Sequence, residues 1–207
     1  MRFVYFHGFA SGPRSRKAQA FHVALAGRDI PLEIPDLAQG DFEHLTISRQ
    51  LRVVEDLLQD APCRLVGSSM GGYLASLYAA SHPEVDRLVL LAPAFGLATR
   101  WRQMQGEKAV ERWRKTGWLD VFHYGDKTTR RVHYGLLEDV AAFPGFPDFL
   151  QPALIFHGVN DTVVPVDLSR GFAESHPNAI LREMESDHEL LNVLEDIAGE
   201  AVPWLTA

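Results

Sequence analysis

The chain has 207 residues, 46% of them hydrophobic and 23% charged, a length and balance that suit one globular domain with a sizeable core. Its 20 Lys and Arg against 27 Asp and Glu leave a net charge of −7, which argues against a phosphate-backbone partner and hence against nucleic-acid binding. The single cysteine, Cys63, excludes an internal disulfide, and no apolar run approaches the ~18 residues of a membrane span.

Met1 and Arg2 lead straight into Phe3-Val4-Tyr5-Phe6, too short a run for a signal peptide, so the expected location is the cytoplasm. Phe3 to Phe6 reads as a first strand buried on both faces. Arg16 to Ala26 reads as a helix closed by Gly27, and Ile30 to Ile34 as a short second strand. Ile47, Leu51, Val54 and Leu58 form one apolar helix stripe, which Pro62 closes. Arg64 to Val66 is the next strand, with Cys63 a small core residue beside it. A small-residue helix over Gly71 to Ala80 follows, then strands at Arg87 to Ala92, Ala153 to Phe156 and Ile180 to Met184. Leu190, Leu194 and Ile197 mark a C-terminal helix stripe. Short apolar runs alternating with helical patterns predict an α/β fold, a mostly parallel sheet of about six strands with flanking helices.

Residues 96–150 break the alternation. They show no strand signal, hold Trp101, Trp113 and Trp118 with Tyr124, Tyr134, Phe143, Phe146 and Phe149, and carry slightly more Lys and Arg than Asp and Glu. A helical cap inserted between two strands is expected there, with 1–95 and 151–207 forming the core.

Gly67-Ser68-Ser69-Met70-Gly71 joins a strand to a helix through G-x-S-x-G. That spacing builds a tight, strained turn that lifts the middle serine off the end of a sheet, with glycines where a Cβ would collide with backbone. Ser69 is therefore the candidate nucleophile, at a helix N-terminus that favours developing negative charge; Ser68 is in the wrong place for the elbow. An acyl-transfer site also needs two N–H donors for the oxyanion. Met70, just after the nucleophile, and Phe9, in the His7-Gly8-Phe9 loop after the first strand, are placed to supply them. His7 reads as a residue that holds this loop by hydrogen bonds.

A serine hydroxyl needs a positioned imidazole, and the imidazole needs a carboxylate to fix its tautomer. In this fold the order along the chain is serine, acid, histidine. Of nine histidines, His188 follows the last strand and precedes the terminal helix, where the base belongs. Asp161 lies on the turn after the Ala153 to Phe156 strand and is the candidate acid. Asp187, the rival, adjoins the ring it would have to orient and reads as a loop residue. The histidines and lone cysteine lack metal-ligand spacing, and no phosphate-cradling glycine motif is present, so neither a metal nor a nucleotide cofactor is expected.

His7-Gly8 after the first strand, Gly67 to Gly72, the H-G-x-x-D-x-x-V-P run from His157 to Pro165, and Asp187-His188 together resemble the α/β-hydrolase superfamily over nearly the whole chain. The opening from Tyr5 to Ala18 is similar to short bacterial esterases of the YqiA type. The insertion, with Gly117-Trp118 and its tyrosines ahead of Glu138-Asp139, resembles the branch that cleaves acyl-thioesters and acyl glucuronides. The resemblance implies a fold entered at its third strand, and hydrolysis of a small-molecule ester or thioester by Ser69, His188 and Asp161. A triad-bearing binding or signalling module with negligible turnover, and a small peptidase, are the alternatives that share these motifs.

Overall fold

A computed structural model describes all 207 residues. Along the chain run β1 (Arg2–Phe6), α1 (Arg16–Ala26), β2 (Leu32–Glu33), α2 (Ile47–Leu58), β3 (Cys63–Ser68), α3 (Met70–Ser81) and β4 (Val85–Leu91). An insertion then carries α4 (Leu97–Gln105), α5 (Glu107–Thr116), β5 (Trp118–His123), β6 (Thr128–His133) and α6 (Gly135–Val140). The chain returns through β7 (Ala153–Gly158), α7 (Val166–Ser175), β8 (Ala179–Met184) and α8 (Leu194–Thr206). The main sheet has six strands in the order β2-β1-β3-β4-β7-β8, every neighbouring pair parallel.

Both faces of the central strands β1, β3, β4 and β7 are buried along most of their length, so those stretches are apolar and successive residues serve opposite layers. Val4 and Phe6 of β1, Leu65 of β3, Leu88 and Leu90 of β4 and Ile155 of β7 pack with α2, α3 and α7. Phe3 and Tyr5, Val66, Val89 and Leu91, and Phe156 pack on the other side with Phe21 of α1 and Ile197 of α8. The chain adds β2 on one side of β1 and then β3 on the other. This reversal opens a crevice at the carboxyl ends of β1 and β3, the usual place for a ligand site in such sheets.

Several boundaries depart from the sequence-based expectation. The strand expected over Ile30 to Ile34 shrinks to Leu32–Glu33, because Pro31 and Pro35 flank it and cannot donate to a ladder. Helix α2 ends before Pro62: Gln59 turns left-handed at φ 48 and its N–H bonds to the Glu55 carbonyl. Leu190 is buried as expected but lies outside α8, at φ 55.

The larger correction is in the insertion. It is not wholly helical: β5 and β6 form an antiparallel hairpin, with Trp118 opposite His133 and His123 opposite Thr128. Its period-two signal is faint because Leu119 and Val121 turn inward while Phe122, on the outward face with Asp120, is 52% exposed. Strand β6 is mostly Thr and Arg, and only Val132 is fully buried. Trp113 of α5 fixes the hairpin to the helices, donating Nε1–H to the Val132 carbonyl at 3.0 Å.

Candidate active site

Ser69 joins β3 to α3 with φ 53 and ψ −118, a conformation that costs a non-glycine residue roughly 1–3 kcal/mol. The surrounding backbone holds it there. The Ser69 N–H donates to the Leu91 carbonyl at 2.8 Å, and the Ser69 carbonyl accepts from the N–H groups of Gly72 at 2.9 Å, Tyr73 at 3.1 Å and Ala94 at 3.0 Å. A Cβ on Gly71 would stand 2.1 Å from the Phe6 carbonyl oxygen, and one on Gly67 would stand 2.4 Å from that of Gly71, so only glycine lets this turn close. Ser69 remains half-buried at the edge of the sheet, whereas Ser68 is buried within β3.

His188 reaches Ser69 from the loop after β8. Its Nε2 lies 3.0 Å from Ser69 Oγ, and its Nδ1 lies 2.6 Å from Asp161 Oδ2. An ionised carboxylate only accepts, so the proton sits on Nδ1 and leaves Nε2 to accept from the serine hydroxyl. The Asp161 side chain is fully buried on the turn after β7. Its Oδ1 accepts from the N–H groups of Val163 and Val164, both at 2.8 Å. Burial alone would push this carboxyl up; hydrogen bonds from His157 and His188, the His188 charge and the Val164 N–H outweigh it and hold the group well below the usual carboxylate range. Asp187, the rival acid, turns into its own loop and accepts the Glu189 N–H at 2.9 Å.

The N–H of Phe9 makes no hydrogen bond within the protein, and that of Met70, first residue of α3, has no intrahelical acceptor. Both belong to the segments that flank Ser69 at the β1–β3 crevice. His7 holds the first of these: its ring is buried, Nδ1 donates to the Gly8 carbonyl at 3.1 Å, and Nε2 accepts from Leu37 N–H at 3.5 Å. Burial, the dominant influence, pushes its pKa down, which keeps the ring neutral and fits a structural part.

Two supporting residues were not singled out from the sequence. His157 is buried beneath Asp161, its Nε2 at 2.8 Å from the Val164 carbonyl and 3.2 Å from Asp161 Oδ2, its Nδ1 at 2.7 Å from Ser169 Oγ. The four-residue step from His157 to Asp161 was the available signal. Lys17 of α1 reaches the His188 backbone, and nothing in its spacing marks it apart from the other α1 residues.

The aromatic residues of the insertion mostly pack. Trp101, Trp113, Tyr134 and Phe149 are buried. The Phe9 ring stands edge-on to Trp101 at 5.0 Å, which brings α4 against the Phe9 loop. A hollow of about 300 Å³ between α3 and the insertion is lined by Tyr73, Ala98, Val140 and Phe143, with Arg102 at its wall. A polar hollow of about 480 Å³ lies behind the His188 loop, lined by Asn160, Asp187, Glu189 and Asn192. Ser69 lines neither. No helix is long and apolar enough to cross a membrane.

Comparison with known proteins matches residues 2–200 to the Uncharacterised protein family (UPF0227). The chain is 28% identical over 166 residues to "Palmitoyl-protein thioesterase ABHD10, mitochondrial" of Bos taurus, an alignment covering 74% of this chain but only 54% of that protein. It is 30% identical to a 2-hydroxy-6-oxononadienedioate/2-hydroxy-6-oxononatrienedioate hydrolase of Burkholderia vietnamiensis, over 86% of this chain and 77% of the relative. The solved structure of alpha/beta hydrolase domain-containing protein 10 from mouse superposes with a TM-score of 0.82 at 20% identity, covering 99% of this chain and 87% of the other.

Proposed function

The chain belongs to the UPF0227 family within the α/β-hydrolase superfamily, and from that premise we propose that it is a serine hydrolase cleaving carboxylic esters or thioesters through an acyl-enzyme. The reading is carried by one observation: a single imidazole bridges Ser69 Oγ at 3.0 Å and Asp161 Oδ2 at 2.6 Å.

In the first half-reaction Ser69 Oγ attacks the substrate carbonyl carbon as its proton passes to His188 Nε2. The carbonyl electrons move to oxygen, and the N–H groups of Phe9 and Met70 accommodate that charge. Such donors are worth about 2.7–4 kcal/mol each when they are preorganised. The tetrahedral centre collapses, the acyl–oxygen or acyl–sulfur bond breaks, and the imidazolium returns its proton to the departing alcohol or thiol. Water then attacks the Ser69 ester with His188 again as base, releasing the acid. Asp161 stays ionised, holds Nδ1–H and balances the imidazolium. Its depressed pKa supports that part.

Residues 1–95 and 151–207 act as the catalytic core and 96–150 as a cap that shapes the acyl pocket beside Ser69. The thioesterase name of the bovine relative supports acyl-thioesters alongside oxygen esters.

Hydrolysis of p-nitrophenyl esters and acyl-thioesters of graded chain length, by the wild type and by Ser69→Ala, tests the reading. The wild type is expected to turn over repeatedly and the variant to lose about 10⁶-fold in kcat. Undiminished activity in Ser69→Ala, or wild-type protein inert toward every ester and thioester in the panel, would overturn it.

A further inference from the structure

Lys17 stands in the first turn of α1, where the inward positions are otherwise the apolar Ala18, Phe21 and Leu25. It is only 9% exposed, although neighbouring Arg16 lies open to solvent. Burying an ammonium is costly unless it has partners. No carboxylate lies within ion-pair distance of Lys17 Nζ; its one hydrogen bond is to the backbone carbonyl of His188 at 3.4 Å. That bond is also the only one made by the His188 backbone.

The loop around His188 is otherwise held to the core by the Asn160 N–H, which donates to the Ser186 carbonyl at 3.0 Å. Asn192 also holds its start, donating Nδ2–H to the Glu185 carbonyl at 2.9 Å and accepting the Ser186 hydroxyl, and the His188 ring meets Asp161 and Ser69. The other bonds are internal, with Asp187 Oδ1 accepting Glu189 N–H and the Asp187 carbonyl accepting Leu190 N–H at a long 3.4 Å. The negative charges facing Lys17 come from Glu189 and Asp187 of the loop and from Asp161 beyond it. A cation in the first turn of α1 therefore meets the His188 loop at the residue whose ring must stay between Ser69 and Asp161.

We propose that Lys17 is a positioning residue that ties the His188 backbone to α1 and so holds the imidazole in line with Ser69 and Asp161. The role rests on the serine-hydrolase reading for its catalytic consequence, but the placement of the ring can be measured without turnover. Lys17 is not itself a catalytic residue, since its contact with the reacting atoms runs through the peptide of His188.

Lys17→Met keeps the buried stem and removes donor and charge together; Lys17→Arg keeps both. Steady-state kinetics on the best p-nitrophenyl ester, normalised to sites titrated with a fluorophosphonate, should show kcat about tenfold or more lower in Lys17→Met with KM unchanged. The acid limb of kcat/KM should move to higher pH in that variant, because a positive charge near the imidazolium is lost while Asp161, Asp187 and Glu189 remain ionised. Lys17→Arg should restore both. The downfield proton resonance of His188 Nδ1–H should be sharp in the wild type and exchange-broadened in Lys17→Met. A folded Lys17→Met with wild-type kcat, acid limb and resonance would overturn the proposal, as would a loss that disappears once rates are expressed per titrated site. If Lys17→Met does not fold, Lys17→Leu, which also lacks donor and charge, takes its place with the same readouts. Wild-type protein that turns over no ester would remove the hydrolase reading alone, and the resonance would still decide the part played by Lys17.

Discussion

Replacing Asp161 by Asn changes one atom of the site, and the structure dictates which way the new amide faces. Oδ1 accepts two backbone N–H groups at 2.8 Å, from Val163 and Val164, so that position must remain an oxygen. The NH₂ is then forced to the Oδ2 position, 2.6 Å from His188 Nδ1. Two donors cannot meet there, and the ring must shift its proton to Nε2. It then points an N–H at Ser69 Oγ and cannot take the serine proton. For a tautomer held wrongly in this way the loss in kcat is about 10⁴-fold, or roughly 5.5 kcal/mol at 1.36 kcal/mol per decade. The same NH₂ would face the Nε2 of His157, now 3.2 Å from Oδ2, so a further cost to stability of about 1–3 kcal/mol is expected. Initial rates on a p-nitrophenyl ester at neutral pH, with a thermal melt to confirm folding, check both effects. A folded Asp161→Asn within tenfold of wild type would show that Asp161 does not set the tautomer.

Gly71→Ala places a methyl 2.1 Å from the Phe6 carbonyl oxygen, backbone that cannot yield. A destabilisation of about 3 kcal/mol or more is expected, read as a fall of about 6–12 °C in thermal midpoint; an unchanged midpoint would refute the tight-turn argument. Asp161 also predicts the acid limit of stability. Its pKa is lower in the fold than in the unfolded chain, so its contribution is fully present above about pH 4 and is lost as pH falls below that value toward the folded one. The stability gap between wild type and Asp161→Ala, measured by denaturant titration, should therefore narrow between neutral pH and about pH 3; a constant gap would contradict the assignment.

The parts of this molecule that follow local rules were legible in the sequence. Helix α1 starts at Arg16 because Ser15 caps it, its hydroxyl accepting the Ala18 N–H at 3.4 Å, and α2 starts after Thr46 for the same reason. The buried parallel strands announce themselves as short apolar runs. The serine elbow is legible because two close backbone approaches leave glycine no substitute. His188 and Asp161 are candidates by order along the chain, and the parallel sheet brings the ends of β3, β7 and β8, which carry them and Ser69, to one edge.

What the sequence concealed depends on tertiary contact. The β5–β6 hairpin packs only part of one face, so its alternation is diluted by Phe122 outside and Thr and Arg along β6. Lys17 looks like any surface lysine on an amphipathic helix until α1 is laid against the His188 loop. His157 gains its meaning only when the turn after β7 folds Asp161 back over it. The polar hollow behind the His188 loop likewise draws Asn160 from one strand end and Asn192 from beyond another.

The account turns on whether Ser69 carries the acyl group. The most direct measurement is mass spectrometry of protein quenched in acid during the first turnovers of an activated ester, followed by peptide mapping. The expected result is one acyl group on the peptide containing Ser69, absent from Ser69→Ala and longer-lived in His188→Ala wherever any forms. Turnover with the acyl group on another residue, or with no covalent intermediate trapped at all, would contradict it.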